Sequence, residues 1–199
     1  MDILDFWFRG DCVLRKRVLL LTGNAGVGKT TVVTKVINTL KAKGFSIGGM
    51  ISHEVRKGGT RVGFEILDVS TGRCGWLAHI NQEAGPQVGK YRVNMNDLDL
   101  IGAKAVLDAL EKCDVVAIDE VGPMELFSEK FNEAVQKALE SRKPVLAVVH
   151  WKAMDRLIGE ANSREDVETF TVTHENREWL PDKIVEKNFS TKKREKPIF

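Results

Sequence analysis

The chain has 199 residues, 43% hydrophobic and 29% charged, so it is long enough to bury the core of one globular domain. Its 30 basic and 28 acidic residues give a formal net charge of +2, which excludes a global field that would drive binding to nucleic acid or to a membrane surface. Three widely spaced cysteines suit neither a disulfide framework nor a clustered metal site and predict a reducing, cytoplasmic location. An acidic start and the lack of a long apolar run predict a chain that is neither exported nor membrane-spanning.

The first predicted elements are a strand, a glycine-rich loop and a helix. Residues 17–22 form a short apolar run, and residues 30–43 show helical spacing of their apolar side chains before Gly44. A second strand is predicted over 46–52, and the alternation over 60–69 predicts a β-hairpin insertion after it. Residues 74–96 look irregular, with one short strand predicted at 91–93.

The second half of the chain alternates apolar strands with helices. Strands are predicted at 114–119, 144–150 and 167–173, and helices at 97–112, 128–142, 151–159 and 176–187. Repeated βαβ units predict an α/β fold with a largely parallel sheet and helices on both faces. We therefore expect one domain over 17–189, an N-terminal extension over 1–16 and a basic, flexible tail over 190–199.

The glycine-rich loop matches a phosphate-binding pattern. Its sequence, G-N-A-G-V-G-K-T from Gly23 to Thr30, fits G-x-x-x-x-G-K-[ST] and lies between an apolar strand and a helix. In such a P-loop, backbone N–H groups and the positive end of the helix hold phosphate oxygens, the lysine reaches the outer phosphates and the hydroxyl binds magnesium. The predicted nucleotide-binding residues of this loop are Gly23, Asn24, Ala25, Gly26, Val27, Gly28, Lys29, Thr30 and Thr31.

Two carboxylates follow the apolar strand V-V-A-I at 115–118. P-loop proteins hold Mg²⁺ with an aspartate at such a strand end, so Thr30 and Asp119 are the predicted metal residues. Glu120 is the predicted catalytic base, which orients and deprotonates the water that attacks the γ-phosphate, and Lys29 is the predicted catalytic cation. The alternative for Glu120 is a solvated strand-end residue in a salt bridge. These residues predict a magnesium-dependent nucleoside triphosphatase.

The run D-E-V-G-P-M-E-L at 119–126 resembles the signature of a small nucleoside-triphosphatase family of thermophiles and animals, known in animals as the cancer-related nucleoside-triphosphatase. Four further blocks, at 54–56, 61–64, 88–91 and 173–177, extend the resemblance over residues 17–187. The resemblance implies a three-layer, RecA-like P-loop fold with strand order 5-1-4-3-2. It also implies slow, magnesium-dependent hydrolysis of ATP, GTP and other nucleoside 5′-triphosphates to diphosphate and phosphate. Residues 1–16, Pro123 and His150 depart from the family's pattern.

Three polar residues each have two interpretations. His150 follows a strand at the edge where ligands bind in open α/β sheets, so it is either a γ-phosphate sensor or a plain strand-end histidine. Asn176 and Arg177 are candidates for the base pocket of a nucleotide site. The alternative is a helix cap at Thr173 and a surface charge at Arg177.

The predicted hairpin carries a pair of arginines. If the glycines at 58–59 form a two-residue turn, Arg56 faces Arg61 directly across the strands. Facing arginines repel each other, and an anion such as a triphosphate would remove the repulsion, so both are candidates for an arginine finger. Arg61 is the better candidate because it lies in the R-V-G-F block. The alternative is that both point into water, where screening weakens the repulsion.

Two other classes of function use the same motifs. A nucleotide or small-molecule kinase would transfer the phosphoryl group to an acceptor held in a second pocket near residues 74–96. A nucleotide-gated binding protein would contact RNA or a partner through the tail 190–199, although a solvated tail is the simpler interpretation. We therefore expect nucleoside triphosphates as ligands and no nucleic acid or membrane, and leave protein partners open. The aromatic residues at 6–8 receive no function.

Overall fold

A nine-stranded β-sheet forms the centre of the chain in the computed structural model, which describes residues 16–153, 159 and 164–189. The strands are β1 (Val18–Thr22), β2 (Ile47–Lys57), β3 (Thr60–Asp68), β4 (Cys74–His79), β5 (Gln87–Val88), β6 (Tyr91–Val93), β7 (Val115–Val121), β8 (Val145–Val149) and β9 (Val167–Thr171). Residues 1–15 and 190–199, which hold nearly all of the predicted extension and the whole predicted tail, lie outside the described residues.

The sheet is mixed, with the strand order β5-β6-β4-β3-β2-β7-β8-β1-β9. The strands β2, β7, β8, β1 and β9 pair in parallel, whereas β2 to β6 are joined by antiparallel pairs. The predicted α/β fold is confirmed. The prediction of a largely parallel sheet needs correction, because the hairpin and the strands after it widen the sheet with antiparallel pairs. The order 5-1-4-3-2 that the resemblance implies has five strands, so it can apply only to the five strands that pair in parallel and not to the whole sheet.

Four main helices, α1 (Lys29–Ala42), α2 (Lys104–Lys112), α3 (Glu129–Glu140) and α4 (Leu180–Asn188), pack on the sheet. Shorter helical segments are Met95–Asp97, a π-helix at Leu98–Ala103 that leads into α2, a 3₁₀ turn at Glu125–Phe127, and Trp151–Ala153. Of the predicted helix 151–159, the structure describes residues 151–153, which are helical, and residue 159, which lies in a turn. None of the helices in the described ranges is long and apolar enough to cross a membrane.

Strand β1 shows how the sheet separates two apolar layers. Val18 and Leu20 pack in the layer that contains α2 and α3, and Leu19 and Leu21 pack in the layer that contains α1 and α4. A strand that is covered on both faces needs apolar residues at every position, which explains the continuous run V-L-L-L. The result is a three-layer α/β/α arrangement with the carboxyl ends of the parallel strands at one edge.

The segment 74–96, which we expected to be irregular apart from residues 91–93, contains three strands. β4 pairs with β3, and β6 pairs with both β4 and β5. The predicted strand at 91–93 is confirmed. The strand β4 was not predicted, because a glycine within it is normally the sign of a break in a strand. This residue, Gly75, is a glycine within β4 because a Cβ at this position would come within 2.8 Å of side-chain atoms of Ile101 and Asp97.

Gly49 provides a test of the pairing between β2 and β7. Its φ is +113°, and a Cβ would lie 2.0 Å from the carbonyl oxygen of Ala117, a backbone atom that cannot move without breaking the strand pair. We expect Gly49→Ala to lower the free energy of unfolding by about 3 kcal/mol or more. The control is Gly72→Ala, which has a φ of +76° and nothing within 4 Å of the added Cβ, and which should cost about 1–2 kcal/mol. Urea denaturation measures both, and equal losses would contradict the role given to the Ala117 contact.

Candidate active site

The predicted P-loop joins the carboxyl end of β1 to the first turn of α1. β1 ends at Thr22 and α1 begins at Lys29, so the predicted order of strand, loop and helix is confirmed. The first turn of α1 has no acidic residue and no side-chain cap, so the positive end of this helix is not compensated by its own side chains. At Gly23, with a φ of +148°, a Cβ would lie 2.6 Å from the carbonyl oxygen of Val172. The start of the loop therefore packs against the chain that follows β9, and a side chain at position 23 would not fit there.

The Lys29 ammonium group is held across this loop. Its Nζ donates to the carbonyl oxygens of Gly23 at 3.1 Å and Asn24 at 3.3 Å, and it lies 3.9 Å from Oε2 of Glu120. Lys29 thus links the P-loop to the end of β7. A phosphate group that enters between them would meet a positive charge already in place.

Asp119 is the buried carboxylate at the end of β7. It is 1% exposed, the Thr30 hydroxyl donates to it, and its Oδ2 is buried without a hydrogen-bond partner among the described residues. Burial raises the pKa of Asp119 to about 7, and the charge of Glu120 adds to this against the opposing effects of Thr30 and Lys29. An unpartnered carboxylate oxygen beside a hydroxyl fits a hard cation such as Mg²⁺.

Within the described part of the chain, no group of three His, Cys, Asp or Glu side chains could hold a metal ion by itself. A magnesium ion at Thr30 and Asp119 would therefore need water and phosphate oxygens as its other ligands. This is the usual way in which proteins bind Mg²⁺ together with a nucleotide.

Glu120 lies next to Asp119 but is open to solvent. Its side chain is 27% exposed, and its Oε2 faces Lys29. The regular pairing of β7 with β8 is interrupted between Ile118 and Val121, and the Asp119–Glu120 peptide bond is cis. A carboxylate that reaches both solvent and the P-loop lysine has the position that a base for an attacking water requires.

A second glutamate, Glu125, lies beside Glu120 and was not among the predicted site residues. It is 4% exposed, and its Oε2 accepts a hydrogen bond from the Gly122 N–H at 3.1 Å. Burial raises the pKa of Glu125 to about 8, and the charges of Glu120 and Asp119 act in the same direction. The sequence signal for this residue is its place in the run D-E-V-G-P-M-E-L, since periodicity alone does not reveal a buried carboxyl in a 3₁₀ turn.

The loop between β9 and α4 brings Arg177 to the P-loop. Its Nη1 donates to the carbonyl oxygen of Val27 at 3.4 Å, and its Cδ lies 3.4 Å from the place of a Cβ on Gly28. The guanidinium group of Arg177 therefore lies against the backbone of the P-loop. That position suits a contact with the base or ribose of a nucleotide.

Asn176 closes the loop that presents Arg177. Its Oδ1 accepts from the Thr173 N–H at 2.9 Å, and its Nδ2 donates to the carbonyl oxygen of Thr171 at 2.8 Å. These bonds hold the chain in turns up to residue 179, so the helix predicted over 176–187 begins instead at Leu180. The predicted cap at Thr173 is therefore wrong for this helix. The side-chain amide of Asn176 is engaged with the backbone of its own loop.

The hairpin has the predicted register, in which Arg56 pairs with Arg61. The carboxylate of Glu54 forms hydrogen bonds with both arginines. It accepts from Nε of Arg56 at 2.7 Å and from Nη1 of Arg61 at 3.3 Å. Nε of Arg61 also donates to the Tyr91 hydroxyl at 2.9 Å. The negative charge of Glu54 thus offsets the repulsion between the two arginines, so a triphosphate is not needed to explain why they face each other.

The hairpin extends well beyond the P-loop edge of the sheet. Ile51 pairs with Asp119, and the five further residues along β2 carry Arg56 about 17 Å past that level. In the described structure, no hydrogen bond or ion pair joins Arg56 or Arg61 to the P-loop. A finger role for either arginine requires the hairpin to bend toward the loop.

His150 follows β8, the strand that separates β1 from β7. Its N–H donates to the carbonyl oxygen of Val121 at 3.0 Å, and its ring centroid lies 5.7 Å from that of Trp151. The residue therefore lies at the sheet edge between the P-loop strand and the carboxylate strand. Its role as a γ-phosphate sensor stays a prediction.

A glycine-rich phosphate-binding motif after β1 and a buried aspartate near the carboxyl end of β7, with one strand between β1 and β7, define a P-loop nucleotide-binding protein of the α/β class. The NTPase family model matches residues 18–185. The chain belongs to this family of nucleoside-triphosphatases, so the resemblance seen in the sequence motifs is confirmed.

The relatives cover most of the chain. Nucleoside-triphosphatase THEP1 of Thermofilum pendens is 50% identical over 167 residues, which are 83% of this chain and 91% of the relative. The protein of the same name from Methanosarcina acetivorans is also 50% identical, over 83% of this chain and 93% of its own length. The solution structure of a human cancer-related nucleoside triphosphatase has a TM-score of 0.74 and 35% identity, and the match covers 89% of this chain and all of that one.

Proposed function

We propose that this chain hydrolyses nucleoside 5′-triphosphates, ATP and GTP among them, to the diphosphate and phosphate with Mg²⁺ as cofactor. The observation that carries the proposal is the pair of carboxylates near the carboxyl end of β7: Asp119 is buried with an unpartnered oxygen, and Glu120 faces the P-loop lysine. The relatives named nucleoside-triphosphatase support hydrolysis as the reaction.

In this proposal the P-loop and the residues around it bind the triphosphate. Backbone N–H groups of the P-loop and the first turn of α1, which includes Thr31, bind phosphate oxygens, and Lys29 contacts the outer phosphates. Thr30 and Asp119 would hold Mg²⁺, which when bound offsets the negative charge of the phosphates. Arg177, which lies against the P-loop backbone, contacts the base or ribose, and Asn176 holds the loop that carries Arg177.

Glu120 acts as the base. Its carboxylate accepts a proton from the attacking water as the water oxygen bonds to the γ-phosphorus and the bond to the β–γ bridging oxygen breaks. Lys29, 3.9 Å away, stabilises the charge that develops on the γ-phosphoryl oxygens. The kinase alternative is not favoured, because the segment 74–96, where an acceptor pocket was expected, forms β4 to β6 of the sheet.

Phosphate release tests the proposal. We expect release from ATP, GTP, CTP and UTP in the presence of Mg²⁺, complete loss in excess EDTA, and recovery when Mg²⁺ is added back, because the predicted ligands are oxygens. Asp119→Asn should need a higher Mg²⁺ concentration. Activity that persists in EDTA, or that zinc alone restores, would contradict the site.

The same assay with nucleoside and nucleotide acceptors separates hydrolysis from transfer. If labelled γ-phosphate reaches an acceptor faster than it reaches water, the chain is a kinase and the proposal is wrong. A cytoplasmic location and the lack of nucleic-acid binding stay predictions from the sequence.

A further inference from the structure

Glu125 takes no part in the mechanism above, although it is buried next to the proposed base. It is 4% exposed, and no lysine or arginine forms an ion pair with it among the described residues. A buried carboxyl group without a basic partner is costly unless hydrogen bonds compensate for it. A structural or functional reason is therefore needed for a glutamate at this position.

Glu125 holds the turn that follows β7. The Gly122 N–H donates to its Oε2 at 3.1 Å, and the Leu126 N–H donates to the carbonyl oxygen of Gly122 at 3.1 Å. These two bonds close the chain over residues 122–126. Because β7 ends at Val121, this turn fixes the direction in which the chain leaves the strand that carries Glu120.

The carboxyl groups of Glu120 and Glu125 pack against the same glycine. A Cβ on Gly122 would lie 2.9 Å from Oε1 of Glu120 and 3.0 Å from Oε2 of Glu125, so the two oxygens are within about 6 Å of each other. The other oxygen of Glu120, Oε2, faces Lys29. The carboxylate of Glu120 is thus confined between the P-loop lysine and the turn that Glu125 closes.

We propose that Glu125 is a positioning residue: by closing the turn behind Glu120, it holds the carboxylate of Glu120 toward the P-loop and the attacking water. This inference rests on the proposed function, because it requires Glu120 to be the base. Burial and the neighbouring carboxylates raise the pKa of Glu125 to about 8, which favours its neutral form at neutral pH. Glutamine has the same shape, is neutral and keeps an oxygen that can accept from Gly122.

The test compares Glu125→Gln with Glu125→Ala, by phosphate release for kcat, by titration with a fluorescent ATP analogue for Kd, and by thermal melting. We expect Glu125→Gln to stay within about threefold of wild type, because its amide oxygen keeps the bond to Gly122. Glu125→Ala should lose on the order of a hundredfold in kcat with Kd unchanged, since a displacement of about 1 Å at a reacting group has such an effect.

Two further variants keep the test decisive. Gly122→Ala adds only a methyl group, which must displace the carboxyl groups of Glu120 and Glu125, so it should lower kcat in the same way even if Glu125→Ala fails to fold. Adding Glu125→Ala to Glu120→Gln should cause no further loss of kcat, because a positioning residue acts through the group it positions.

The outcomes are distinguishable. If Glu120→Gln hydrolyses normally, the base assignment of the proposed function fails. If Glu120→Gln is inactive but Glu125→Ala and Gly122→Ala keep wild-type kcat, only the positioning role fails. Two further results would overturn the positioning role. One is a loss of kcat in Glu125→Ala that adds fully to the loss in Glu120→Gln, and the other is a loss of kcat accompanied by a weaker Kd and a lower melting temperature. Either result indicates a general structural role for Glu125.

Discussion

Lys29→Ala is expected to lose both triphosphate affinity and hydrolysis, whereas Glu120→Gln keeps affinity and loses about two to four powers of ten in kcat. Lys29 reaches across the P-loop, whose backbone N–H groups are proposed to bind the phosphates, so its charge should act in the ground state and in the transition state. Glu120 lies on the solvent side and acts when the water is deprotonated. Single-turnover phosphate release and nucleotide titration separate the two effects.

Matched controls come from exposed residues of the same chemical type. Lys35→Ala removes a lysine of α1 whose Nζ pairs with Glu178 at the surface, and Glu140→Gln changes a glutamate at the exposed end of α3 that contacts Gln136. Both should keep wild-type kcat and Kd, because the exposed ion pair of Lys35 and the exposed hydrogen bond that Glu140 accepts from Gln136 contribute little. Normal turnover by Glu120→Gln would show that another group is the base.

The phosphate loop could be predicted from the sequence because all its parts are local. The strand, the glycines, the lysine and the helix occupy one continuous stretch, and no distant contact is needed to recognise them. The register of Arg56 and Arg61 was predictable for the same reason, since a two-residue glycine turn fixes the pairing of the strands on either side of it.

The parts that sequence analysis missed depend on contacts between distant residues. Arg177 was a candidate for the base pocket, but its contact with Val27, 150 positions away, could not be predicted from the sequence. The strand β4 is recognised by its partners β3 and β6 and not by its own pattern, which a glycine interrupts. Burial is also a tertiary property, so Glu125 looks like an ordinary surface glutamate until the turn after β7 closes around it. Glu54 differs, because its bonds to both arginines are local in sequence, but they form only once the hairpin has folded.

If Arg61 is the arginine finger, Arg61→Ala loses about a thousandfold in kcat and still binds triphosphate. The contacts of Arg61 predict a second effect, because its guanidinium group donates to the Tyr91 hydroxyl and lies 5.0 Å from the centroid of the Phe64 ring. The variant should therefore also melt at a lower temperature without nucleotide. Phosphate release, nucleotide titration and thermal melting with and without nucleotide measure the two effects separately.

Arg56→Ala is the matched control, because Arg56 shares the Glu54 carboxylate but is 55% exposed and bonds otherwise to the carbonyl oxygen of Gly59. Its removal takes away the facing positive charge and leaves the contact of Arg61 with Tyr91 in place, so melting should change little. A thousandfold loss of kcat confined to Arg61→Ala would establish that the hairpin bends over the P-loop during turnover. An Arg61→Ala variant that melts at a lower temperature but hydrolyses at the wild-type rate would assign Arg61 to the hairpin alone, and Arg177, which already contacts the P-loop, would be the next arginine to replace.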